Sequence, residues 1–122
     1  MAVPDKRFTF DSDREETTMS HLWEDHLEGA QKSRKVHYYE WAKYVERHNG
    51  TLPKEASNET IISRATYLER KNYSIHFHVW CCQSFSEFLE ELRKTHTVKF
   101  NCLFSGSFPS RQENIFILQK QT

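Results

Sequence analysis

The sequence predicts an α/β fold, present only in part, and three observations lead there. Apolar residues recur at helical spacing through the N-terminal half. A capping box, Ser84-x-x-Glu87, opens a further helix. Beyond it lie one alternating and one unbroken apolar stretch, the two patterns strands take.

Met1 to Pro4 is a short stub, and Pro4-Asp5 is a turn signal. Asp5 to Asp13 is charged, with Phe8 and Phe10 alternating, and reads as a loop or short extended segment. A first helix starts at Thr17 or Thr18. Met19, Leu22, Trp23, His26 and Leu27 share its face, and Gly29 stops it. Ser33 is a good N-cap for a second helix. His37, Trp41, Tyr44, Val45 and His48 share that face, and Asn49-Gly50 ends it. After a loop containing Pro53, a third helix runs from Asn58 to about Arg70 and turns Ile61, Ile62, Ala65 and Leu68 inward.

Tyr73 to Cys82 reads YSIHFHVWCC and is extended by its alternation. The helix that Ser84 opens buries Phe85, Phe88, Leu89 and Leu92. Val98, Phe100, Cys102 and Phe104 fall on one face of a strand. Ser105 to Gln112 is a turn with Gly106 and Pro109, and the continuous run from Asn114 to Gln119 suggests a strand buried on both faces. Two strands make a hairpin, whereas about three are needed for an independent sheet. A last strand apolar on both faces asks for a central place. The sequence therefore predicts one partial domain: residues 1–12 a strand end and loop, 13–71 a helical stretch, 72–122 an extended segment, a helix and a terminal hairpin.

The chain has 122 residues, with 17 Lys+Arg against 17 Asp+Glu. This balance gives no electrostatic case for nucleic acid or an anionic membrane surface. No apolar run approaches the roughly 18 residues of a membrane helix. MAVPDKRF lacks a signal-peptide core, so the expected compartment is the cytoplasm. Cys81, Cys82 and Cys102 are an odd set, read as reduced thiols.

His76 and His78, two apart on a strand, would point to one face. That suits two ligands of a zinc or iron site. A third would come from His96, Cys81, Cys82 or a remote position, and with no second H-x-H, no C-x-x-C and no H-E-x-x-H, no metal site is assigned. Contact with a substrate, or packing with both rings hydrogen-bonded, is the alternative. Cys81-Cys82 stand just before a helix start, where a thiol pKa is lowered, but the sequence defines no partner for a nucleophile. His37 and Trp41 share a helical face with Tyr38 beside them, so His37 could orient a sugar or amine, or act as a general base; a packed Trp41 with a surface His37 is the plainer reading.

The order of these segments resembles a known family. AVPDKRFTFD looks like the end of the fifth strand and the following loop of class I methyltransferases that use S-adenosylmethionine. MSHLWEDHLEGAQKSRKVHYYEW and YSIHFHVWCCQSFSEFLEEL resemble the C-terminal part of a bacterial subgroup of the type 11 kind, and Val98–Phe104 with Asn114–Gln119 resemble its closing hairpin. The resemblance implies a Rossmann-like sheet, a helical insertion over residues 13–71 that selects the substrate, and a small-molecule methyl acceptor such as a sugar. By it, Asp5, Arg7, His37, Trp41, His76 and His78 are the substrate-pocket candidates, with His37 or His76 as base. In such folds ligands bind beyond the carboxyl ends of the strands. The family's cofactor half is absent: Gly29, Gly50 and Gly106 are isolated and no G-x-G occurs. The expectation is a substrate-side piece that binds no cofactor and is inactive alone, with Met1 an internal methionine or the gene split. The competing expectations are a non-catalytic module whose partner chain completes the sheet, and a small histidine-based metal-binding protein.

Overall fold

The computed structural model describes residues 1–95 and 98–122, so the His96 considered above as a metal ligand lies outside the described residues. The chain is mixed helix and antiparallel sheet, with β1 (Ala2–Pro4), α1 (Met19–Glu28), α2 (Gln31–Glu40), α3 (Asn58–Arg70), α4 (Cys82–Thr95), β2 (Phe100–Phe108) and β3 (Glu113–Lys120). Two compact units emerge: residues 1–12 with 79–122, and residues 13–78.

The first unit is a three-stranded antiparallel sheet in the order β1-β3-β2, with α4 packed on it. The central place expected for the last strand is real. β1 takes the side opposite the hairpin, pairing Ala2 with Ile115, Val3 with Asn114 and Pro4 with Glu113. The inward row of β3 is Asn114, Phe116 and Leu118, and Phe116 packs with Phe85, Leu89 and Phe100. The other row is not buried as expected, since Ile117 is 51% exposed.

β2 also departs from simple alternation. The register slips between Cys102 and Phe104, where Cys102 opposes Leu118 and Phe104 opposes Ile117. One extra residue, Leu103, flips the following side chains to the opposite face. Phe100 is therefore buried beneath α4, while Phe104 and Phe108 lie on the open face at 41% and 40% exposure. β2 runs on through Gly106 to Phe108, and the tight turn is confined to Pro109–Arg111 with Gln112 at φ +57°. α4 begins at Cys82 rather than at Ser84. The Ser84 hydroxyl accepts from the Cys81 N–H (3.0 Å), and Glu87 is taken up by Gln83 (2.8 Å), so the capping box does not form.

The second unit is helical. Thr18 caps α1 by accepting from the His21 N–H at 3.2 Å, and Gly29 ends it at φ +85°. No residue of α1 is fully buried; of the apolar face expected there, Met19, Leu22 and Trp23 are half-buried, whereas His26 and Leu27, the latter at 76%, are exposed. α2 starts at Gln31, two residues before the cap expected at Ser33. Beyond Glu40 the chain continues in wider π-type turns over Trp41–Glu46. That widening carries Glu46 inward, where α-helical spacing would carry Tyr44. Tyr38, Trp41, Ala42 and Val45 pack with Ile61, Ala65 and Leu68 of α3, while His48 and Ile62 are exposed. Tyr73 to Val79 forms no strand; just after it, Trp80 makes an isolated parallel bridge with Asp5.

Candidate functional site

The site is built on α1. His21 and Asp25 are one helical turn apart, so both side chains leave the same face. α2 brings His37 to that face, and the irregular segment after α3 brings His78. His21 Nε2 lies 3.1 Å from His37 Nε2 and 3.2 Å from Asp25 Oδ2, and His78 Nε2 lies 3.4 Å from the same Asp25 oxygen. Four donor atoms thus converge, all within 4.8 Å of one another, and these four residues could hold a metal ion. The rings meet edge to face, with centroids 4.9 Å apart for His21 and His37 and 5.5 Å for His37 and His78.

The surroundings fix the orientation of each donor. The Ser33 hydroxyl donates to Asp25 Oδ1 at 2.7 Å and leaves Oδ2 facing the imidazoles. Ser33 therefore locks α2 to α1 instead of capping a helix. Phe77 stands edge-on to His37 at 5.7 Å. The inner nitrogen of His37, Nδ1, is buried without a hydrogen-bond partner; the Glu40 carboxylate lies 3.9 Å away, itself reached by Arg14 Nη2 at 3.5 Å. Burial, with repulsion from His37 and His21, holds His78 below the usual histidine range even though its bond to Asp25 acts the other way. Burial pushes Asp25 up, but the Ser33 hydroxyl and the two neighbouring histidines outweigh it, and its carboxyl lies below the usual range. A cavity of about 400 Å³ opens on Asp25, His37 and His78, with Ser33, Arg34 and Phe77 among its walls.

Of the six residues singled out in the sequence, only His37 and His78 meet here. His76 does not share the face of His78, because the segment is not a strand; its ring lies edge-on to Trp41, with centroids 6.1 Å apart. Asp5 and Arg7 belong to the sheet unit. Asp5 is wholly buried, not part of a solvated loop. It accepts from the backbone N–H (3.0 Å), Nε (3.0 Å) and Nη2 (2.7 Å) of Arg7 and from the Ser107 hydroxyl (3.0 Å). With its amide nitrogen turned toward Asp5, the buried Asn114 donates to Oδ2 at 2.9 Å, and its oxygen accepts from the Cys82 N–H at 3.3 Å. This cluster ties the loop after β1 to β2, β3 and the start of α4. Burial raises the Cys82 thiol pKa, and Asp5 raises it further, so the helix start does not activate it as a nucleophile. The sequence reading missed His21 and Asp25. Their H-x-x-x-D spacing on one helical face was the available signal, hidden because Leu22 and Trp23 drew the apolar face elsewhere.

No model of a known protein family, no curated protein and no solved structure matches the chain. No helix among the described residues is long and apolar enough to cross a membrane.

Proposed function

We propose that the chain is the substrate-side portion of a class I methyltransferase that uses S-adenosylmethionine, inactive without its cofactor half. The observation that carries the reading is the sheet. β1 lies beside the last strand, so the hairpin packs against a strand from the far end of the sequence, with the helical unit and α4 between them, which is the order the resemblance implies. Two further features agree. β1 is an edge strand among the described residues, where a larger sheet would continue. The sheet face away from α4 carries Phe104, Phe108 and Ile117, as a sheet covered by helices on both sides would.

The residues present do not fit the cofactor. Gly29 and Gly50 sit at positive φ just beyond helical segments, and Gly106 lies within β2 under the Phe104 ring; none joins a strand to a helix start, where a dinucleotide-type turn is needed. No transfer step is therefore assigned to this chain alone. Its own part would be to select a small polar acceptor in the cavity beside His37 and His78.

Intact mass of the native gene product tests the reading. A product heavier than the 14.7 kDa of this chain that binds S-adenosylmethionine in calorimetry is the expected result. A native product of 14.7 kDa that neither binds the cofactor nor co-purifies with a chain that does would overturn it. The remaining role would then be a module whose partner pairs with the free edge of β1.

A further inference from the structure

We propose that His21, Asp25, His37 and His78 bind one divalent transition-metal ion of the zinc type. The proposal is independent of methyl transfer. A tetrahedral ion with nitrogen and oxygen ligands at about 2.0–2.1 Å holds its donors about 3.3 Å apart. The neighbouring donors of this cluster stand at 3.1, 3.2 and 3.4 Å. The remaining pairs lie within 4.8 Å, so the set closes on an ion through side-chain rotations that move donor atoms by about an ångström or less.

The chemistry of the set points to the class of ion. Three imidazoles and one carboxylate suit zinc and its first-row neighbours, whereas calcium and magnesium take sets built from oxygen. Two imidazole Nε2 atoms facing each other at 3.1 Å can share only one proton, and a cation between them satisfies both lone pairs together with Asp25 Oδ2. The supporting contacts are those a metal site uses. Ser33 holds the non-ligating oxygen of Asp25, and Glu40 stands behind His37 Nδ1, the atom left without a partner, close enough to accept its proton after a small rotation. The cavity that opens on Asp25, His37 and His78 gives the ion an access path.

The experiment uses the untagged 122-residue chain, stripped with a chelator and titrated with Zn²⁺ by calorimetry, and with Co²⁺ in visible spectroscopy. One equivalent per chain is expected, with a tetrahedral Co²⁺ band that Zn²⁺ abolishes. His37→Ala and His78→Ala should each weaken binding by about 100-fold or more, Ser33→Ala by about 10-fold, and His76→Ala by no more than two- to three-fold, about the spread of a context effect. X-ray absorption of the wild-type zinc complex should show a nitrogen/oxygen shell containing three imidazoles, which keeps the proposal testable if a variant fails to fold. Substoichiometric uptake, folded His37 and His78 variants that bind as tightly as wild type, or a shell with sulfur ligands would each overturn it. In the first two cases the cluster is a proton-sharing hydrogen-bond network.

Discussion

Replacing Asp5 by Asn keeps the shape of the side chain and removes its charge, so the change isolates what the buried carboxylate does. Oδ1 still accepts from the Arg7 N–H and Nε. At Oδ2 an NH₂ group would meet Arg7 Nη2, the Ser107 hydroxyl and the Asn114 amide nitrogen. Ser107 can reverse its bond. Arg7, with 49% of its side chain exposed, can turn Nη2 to water. Asn114, fully buried on the central strand, has no such escape. One stranded buried donor costs about 1–3 kcal/mol, and the half-exposed ion pair adds no more than about 1. Asp5→Asn should therefore lose about 1–4 kcal/mol in urea unfolding. The pH dependence has a definite sign. Burial raises the Asp5 pKa, but hydrogen bonds from Arg7 and Ser107 outweigh it and leave the carboxyl below its usual value. The stabilisation is thus complete above the unfolded pKa of about 3.9 and is lost as pH falls through the lower folded value. The gap between wild type and variant should shrink as the pH is lowered below about 4. A loss under about 1 kcal/mol at neutral pH, or a gap that widens in acid, would refute this account of the cluster.

Three further substitutions test the units separately. Phe116, fully buried on the central strand and 4.8 Å between centroids from Phe85, should cost about 3–5 kcal/mol when cut to Ala, because α4 and the sheet cannot both close on the cavity; near-neutral urea unfolding would mean that this core is not formed. In the helical unit, the buried Glu46 takes both Arg64 Nε (2.8 Å) and Nη2 (3.0 Å). Glu46→Gln should lose about 1–2 kcal/mol, since Arg64 is one-third exposed and can turn to water, whereas Arg64→Ala should lose about 3 by leaving the carboxylate alone. The reverse order in equilibrium unfolding would show that the carboxylate reaches solvent.

Local signals were legible at some helix ends, whereas Ser33 and the Ser84-x-x-Glu87 box, equally local, found other partners. Thr18, Gly29 and Gly50 mark helix ends because each acts on its own backbone. The stripe of Phe85, Phe88 and Leu89 is legible for the same reason. Faces were less legible wherever something shifts the period. The π-type turns at Trp41–Glu46 rotate α2's continuation, and the bulge at Leu103 moves Phe104 to the open face; one extra residue causes each, and neither leaves a mark in hydrophobicity. β1 was legible only as a stub, because three residues carry no periodicity and their pairing partner lies at Asn114, more than a hundred positions away.

The site shows the same limit in its strongest form. A search for metal ligands along the sequence favours close pairs, and His76 with His78 is the pair that stands out. The fold separates them, one against Trp41 and the other against Asp25. What replaces the pair is one residue from each of three segments plus Asp25 of α1, and the spacing that unites them is set by packing. Ser33 is the residue that links the two levels. Its hydroxyl was read as a helix cap, a local use. By bonding Asp25 it brings α2 to α1 and aims the carboxylate at three histidines. Removing that hydroxyl should thus loosen the cluster without touching any donor atom, which makes Ser33 a sharper probe of a built site than any of the four ligands.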